Sequence, residues 1–203
     1  MALELIHRGA TDPSRVALFP GAWNPPTIAH LELSRAALSR VDEVVWVLPR
    51  AFPHKSFEGA GFVQRCRMMD RVAGEHHGIA VAVSDGGLYL EIAAEAREAY
   101  QPSTEIMLLC GRDAAERIAD WDYGKPGVFD EMLEKHRLLV AARAGEYVPP
   151  ARHLRRIECI SLVPGTEDVS SSEVRRRIRD GEVWEHLVPP SIVTLVREFY
   201  GLN

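Results

Sequence analysis

The sequence predicts an α/β fold of three layers, Rossmann-like, with a mostly parallel sheet and C-terminal helices. Three observations predict it: short apolar runs recur along the chain, they are unbroken instead of alternating, and helical patterns separate them. Unbroken runs suit strands buried on both faces. Regular alternation of strand and helix places helices on either side of parallel strands.

The strands follow in order as VALF (16–19), VVWVL (44–48), IAVAV (79–83), EIMLLC (105–110), RLLVAA (137–142) and IECISLV (157–163). Between them, helical spacing covers Ala29 to Leu38, Val63 to Ala73, Leu90 to Ala99, Ala114 to Ala119 and Phe129 to Lys135. Two further helices close the chain, one from Ser171 to Arg179 before Gly181 and one from Pro190 to Tyr200. The stretch from Gly145 to Pro150 reads as a loop. At 203 residues the chain fits one domain over residues 1–203.

Composition narrows the function. No apolar run approaches the roughly 20 residues of a membrane helix, and MALELIHRGATDPSR lacks the basic-then-apolar layout of a signal peptide. A soluble, cytoplasmic protein without a membrane partner is expected. Cys66, Cys110 and Cys159 lie far apart without CxxC spacing, so they read as core thiols and no metal-ligating residues are assigned. A net charge of -5 argues against a nucleic-acid partner, since phosphate-backbone binding calls for a basic face. A homo-oligomer is permitted.

Ligands of open parallel sheets bind at the carboxyl ends of the strands. FPGAWNPPTIAHL (19–31) stands at such an end. Gly21 permits close backbone approach, and Pro25 and Pro26 fix φ for a rigid turn. Thr27 and His30, three apart at a helix start, share a face near the positive dipole end, where an anion is favoured. Alone, T-x-x-H reads as a plain helix start, with Thr27 an N-cap and His30 a partly exposed surface histidine. The companion is DVSSSEVRRRI (168–178). Ser170 and Glu173 satisfy a capping box. Ser171 and Ser172 add hydroxyls to the first turn, and Arg175 follows one turn later, a set suited to a polyphosphate. By itself the run Arg175, Arg176 and Arg177 would read as a solvated face.

Together these stretches resemble the two signatures of the nucleotidyltransferase superfamily. Gly21, Ala22, Trp23, Asn24 and Pro25, then Thr27, Ile28, Ala29 and His30, match G-(S/T)-F-(D/N)-P followed by (H/T)xGH, with Ala22 in place of a small hydroxyl residue and Ala29 in place of glycine. VSSSEVR matches ISSTxxR. Further likenesses point to the nicotinate or nicotinamide mononucleotide adenylyltransferases: PRAFPHK (49–55), Arg65 with Met68 and Met69, LLCGRD (108–113), Trp121, and the tail HLVPPSIVTLVREFYGL (186–202). One segment departs. Where the bacterial nicotinate enzymes carry G-x-S-Y-T-x-x-T, this chain reads GGLYLEIAAE (86–95), keeping Tyr89 but placing Leu88 and Leu90 at the hydroxyl positions.

The resemblance implies an ATP-dependent, Mg2+-dependent transfer of AMP to a pyridine mononucleotide, with pyrophosphate released and the metal bound through ATP phosphates. His30 and Thr27 would meet the α-phosphate, and Arg175 and Lys55 the leaving group. Gly21, Ala22, Trp23, Asn24, Ser170, Ser171, Ser172 and Gly111 would bind ATP and its phosphates. Asp113, Trp121 and Tyr89 would meet the mononucleotide. The same residues leave open transfer of AMP or CMP to another phosphate acceptor, and a nucleotide-binding sensor without turnover.

Overall fold

The structure is a computed structural model and describes residues 3–51, 59–121, 123–142, 147–161, 165–166 and 168–202. Among the described residues seven strands form one sheet: β1 (Glu4–His7), β2 (Arg15–Pro20), β3 (Glu43–Pro49), β4 (Ile79–Ser84), β5 (Glu105–Gly111), β6 (Leu138–Ala142) and β7 (Ile157–Ser161). Their order is β1-β4-β3-β2-β5-β6-β7. All neighbours pair parallel except β1, which runs antiparallel along β4. The chain therefore steps outward from β2 to β4, returns, and steps outward on the other side from β5 to β7. The reversal between β2 and β5 opens a crevice at their carboxyl ends.

The α-helices that cover the sheet among the described residues are α1 (Ile28–Ala37), α2 (Phe62–Ala73), α3 (Tyr89–Ala99), α4 (Arg112–Ala119), α5 (Val128–Lys135), α6 (Ser171–Asp180) and α7 (Val193–Phe199). Side chains of each strand alternate between two cores. Ala17, Phe19, Val44, Trp46 and Leu48 meet α1, α2, α6 and α7 on one face. Val16, Leu18, Val45 and Val47 meet α3, α4 and α5 on the other. Burial on both faces is why these strands read as continuous apolar runs.

Three sequence expectations change. The ELIH strand was not foreseen, because four residues exposed on alternate positions make no apolar run; β4 supplies its hydrogen bonds. The last helix begins as a 3-10 turn over Pro190–Ile192 and becomes α-helical only at Val193. Cys110 is a core thiol whose pKa burial pushes up to about 12, but Cys66 is half-buried and Cys159 exposed.

The amino ends of the strands are tied by a buried carboxylate. Glu43 is fully buried and accepts from Gly9 N–H at 2.8 Å, Ala10 N–H at 2.9 Å and the Tyr100 hydroxyl. Burial and the Glu43 charge together raise the Tyr100 pKa. Glu43→Ala is expected to cost about 3–5 kcal/mol in denaturant unfolding, since the buried Tyr100 hydroxyl and the half-buried amides of Gly9 and Ala10 would lose their acceptor. A loss below about 1 kcal/mol would show the network to be dispensable.

Candidate active site

At the carboxyl end of β2 the chain must turn sharply into α1. Gly21 N–H donates to Val47 O at 3.0 Å, extending the ladder by one bond. A Cβ on Gly21 would lie 3.0 Å from the Trp23 indole, so the missing side chain makes room for that ring. Trp23 takes a left-handed φ of 54°, which costs a non-glycine residue about 1–2 kcal/mol. Its contacts offset this: the indole stacks on Trp46 at 4.5 Å, meets Phe19 edge-on at 5.1 Å and donates to Val47 O at 2.9 Å. The Asn24–Pro25 bond is cis.

Thr27 caps α1, and His30 occupies its third position. His30 Nδ1 lies 3.1 Å from Thr27 N and 2.7 Å from Thr27 Oγ1. A backbone N–H only donates, so Nδ1 accepts and the neutral ring carries its proton on Nε2. Trp23 and Phe19, with ring centroids 4.9 and 5.9 Å away, hold the imidazole from the side.

The second motif docks onto this turn from far along the chain. Ser170 caps α6, accepting from Glu173 N–H at 3.1 Å. Ser171 Oγ donates to Pro25 O at 2.7 Å across 146 residues. Arg175 Nη1 donates to Asn24 O at 2.6 Å, and Nη2 reaches Ser172 Oγ at 3.3 Å. The other two arginines point elsewhere. Arg176 and Arg177 bind Glu173, and Arg176 also binds Asp180 and Glu182. Their hydrogen bonds hold the Glu173 carboxyl down at about 2. Of the three arginines, Arg175 is the one that bonds the first motif among the described residues, beside Ser171.

Some assigned residues serve the turn from inside. The Trp23 side chain is buried, so its indole belongs to the core and not to a phosphate site. Asn24 is also buried; its Oδ1 accepts from Ala60 N–H at 3.2 Å and from the Tyr200 hydroxyl. Ser171 has committed its hydroxyl hydrogen to Pro25, which leaves Ser172, the Ser170 hydroxyl, the first N–H groups of α6 and Arg175 as phosphate donors. Ala22, half-buried, gives its carbonyl to Arg65 Nη1 at 3.0 Å. Lys55 lies outside the described residues.

Gly111 ends β5 and caps α4, across the crevice from Gly21. A Cβ added there would meet nothing within 4 Å, so space opens beside it. Asp113 is exposed in the first turn of α4. Tyr89 departs from the expectation of a ligand contact: its hydroxyl already donates to Leu109 O at 3.1 Å, and burial raises its pKa far above the usual range. Trp121 is 37% exposed and walls a cavity of about 400 Å3 with Tyr123, Lys125, Phe129, Asp130 and Arg152. Of the three residues expected at the mononucleotide, Trp121 alone lines it; Asp113 and Tyr89 are not in that wall.

Two residues escaped the sequence reading. Tyr200 fastens Asn24 through its hydroxyl, and a Cβ on Gly59, which has φ 102°, would lie 2.9 Å from its ring. Arg65, 6% exposed, clamps Ala22; its spacing to Met68 was visible, but no role followed from it. Nothing in the periodicity of the last helix marks Tyr200.

A doubly wound sheet with two helix starts at its switch point, one bearing Thr27 and His30 and the other serines and Arg175, is the architecture of a nucleotidyltransferase. Residues 18–177 match the cytidylyltransferase-like family, and the chain belongs to it. A probable nicotinate-nucleotide adenylyltransferase of Salinibacter ruber is 30% identical over 87% of this chain and 92% of its own length. One from Gloeobacter violaceus is 26% identical over 91% of this chain and 94% of that protein. The fold is shared with the nicotinic acid mononucleotide adenylyltransferase of Plasmodium falciparum solved with NaAD, at a TM-score of 0.72 and 16% identity over 94% of this chain and 98% of that one. Among the described residues no helix is long and apolar enough to cross a membrane.

Proposed function

We propose that this nucleotidyltransferase joins AMP from ATP to a pyridine mononucleotide in NAD biosynthesis, with nicotinate mononucleotide as the acceptor that its relatives name and the amide as the alternative. The reading rests on one observation above others: Ser171 and Arg175 bond directly to Pro25 and Asn24, which brings both phosphate motifs to one turn.

The acceptor phosphate is already dianionic near neutral pH, with a second pKa of about 6, so no protein base is required. One of its oxygens forms a bond to the α-phosphorus of ATP as the bond from that phosphorus to the bridging oxygen breaks, and pyrophosphate leaves. Catalysis is then alignment and stabilisation of charge. His30 Nε2–H donates to an α-phosphate oxygen, held in that tautomer by Thr27. The Arg175 guanidinium, Ser172 and the N-terminal amides of α6 hold the β- and γ-phosphates, with Lys55 assigned to the same group. Gly111 and Asp113 receive the mononucleotide across the crevice.

Among the described residues no three carboxylate, histidine or cysteine side chains converge as a metal cage. That donor set fits a Mg2+ ion carried by phosphate oxygens and water. Such an ion would screen the phosphate charges when bound. The chain is read as one domain acting in the cytoplasm on small molecules.

Incubation with ATP, Mg2+ and each pyridine mononucleotide should release pyrophosphate and yield a dinucleotide on chromatography. ATP binding without product from either acceptor would favour the sensor reading; product only with another phosphate acceptor would move the assignment within the family.

A further inference from the structure

Side chains from three distant parts of the chain converge on one glycine. A Cβ added to Gly59 would lie 2.9 Å from the Tyr200 ring, 3.1 Å from Asn24 Oδ1 and 3.5 Å from Arg175 Cδ. The backbone there takes a φ of 102°, which glycine adopts freely and other residues only under strain. Gly59 is thus the point where the turn after β2, helix α6 and the end of α7 meet.

Asn24 is held at both of its oxygens. Its backbone carbonyl accepts from Arg175 Nη1 at 2.6 Å, while Oδ1 accepts from the Tyr200 hydroxyl and from Ala60 N–H at 3.2 Å. The residue is buried, so a partner lost at Oδ1 is not simply replaced by solvent. Burial also raises the Tyr200 pKa, and the hydroxyl therefore keeps its proton and goes on donating across the neutral range.

The consequence falls on Arg175. A guanidinium is planar, so once Nη1 is tied to Asn24 O and Cδ packs over Gly59, the direction of Nη2 is set; it lies 3.3 Å from Ser172 Oγ at the start of α6. Without the Tyr200 hydroxyl, Asn24 would keep only the Ala60 amide at its side chain, and the carbonyl on which the guanidinium rests would lose its bracing. We infer that Tyr200 is a positioning residue of the phosphate site: through Asn24 and Gly59 it aims Arg175 at the β- and γ-phosphates of ATP. The inference rests on the phosphate role given to Arg175 above.

A tyrosine that merely docks α7 would act on stability whether or not Arg175 is present, whereas one that aims Arg175 has nothing to aim once that side chain is gone. The test is the calorimetric Kd for ATP in the parent, Tyr200→Phe, Arg175→Ala and the double variant. Tyr200→Phe keeps the ring over Gly59 and removes only the hydroxyl. It is expected to raise Kd about fivefold in the parent, and by less than about 1.5-fold when Arg175 is already alanine, because residues that act through one another are not additive. Val196→Ala is the control for α7: it removes buried packing one turn before Tyr200, and should lower the melting temperature while leaving Kd within about 1.5-fold of the parent. The same loss from Tyr200→Phe in both backgrounds, no loss in either, or an equal rise in Kd in Val196→Ala would overturn the inference and leave the proposed reaction standing. The acceptor takes no part in these titrations, so a parent that binds ATP without turnover would sink the proposed reaction while the Kd values still decide the role of Tyr200. A parent that does not bind ATP overturns both.

Discussion

Replacing His30 by Ala is expected to lower kcat by roughly 10²–10³, the effect of removing one donor that meets charge developing in the transition state. Binding of ATP should change little, because in the proposed site the β- and γ-phosphates are assigned to α6 and Arg175 and not to the imidazole. The variant also loses the acceptor for Thr27 N–H, so stability should fall by about 1 kcal/mol, as for a lost helix cap. The two losses are separable. Steady-state turnover at saturating substrates reads the first, and denaturant unfolding of the unliganded protein reads the second. Full activity in a less stable variant would mean that T-x-x-H here is a helix start and nothing more.

The fold was legible because its physics is local. Trp46, Val47 and Leu48 are buried on alternate faces, so every position from Val44 to Leu48 had to be apolar and the run announced itself. The edge strand β1 has no such requirement and left no comparable pattern. Within the site, Ser170 and Glu173 were readable as a cap, since a cap is a relation between residues three apart. The partners of Asn24 were not. Its side chain is held by Ala60 and by Tyr200, and the latter contact spans 176 residues. Such a contact depends on how the last helix lies against the switch point, which no periodicity encodes.

The same distinction explains the misassigned side chains. Trp23 and Asn24 stand within a motif whose residue types suggest phosphate, yet a turn this tight has an inside, and large or amide side chains at its centre are buried there. Tyr89 behaves likewise: its hydroxyl anchors α3 to β5. Position in a motif therefore marked the two helix starts, while burial and hydrogen bonding set the side chains committed to the turn, Trp23 and Asn24, apart from the more exposed Ser172 and Arg175. His30, Thr27, Ser172 and Arg175 remain as the groups at the start of the two helices.

Arg175→Ala is expected to weaken ATP and slow turnover together. Its guanidinium would contact phosphates both before and during the reaction, so the ground state and the transition state lose the same charge-assisted bonds. One such interaction is worth about 1.5–3 kcal/mol, which places the rise in Kd for ATP at about tenfold to a hundredfold; kcat/KM should fall at least as far. Arg176→Ala is the control. Arg176 is engaged by Glu173, Asp180 and Glu182 on the exposed side of α6, and exposed pairs contribute about 0–1 kcal/mol. ATP affinity should therefore be retained in that variant. Arg175 also braces Asn24 O, so a purely structural role has to be told apart. Arg175→Lys keeps the charge but not the planar fork that serves Asn24 and a phosphate at once, and should recover part of the affinity and little of the turnover. If Arg175→Ala lowers stability but leaves Kd for ATP unchanged, the residue is a strut between α6 and the turn, and the second motif does not hold the leaving pyrophosphate.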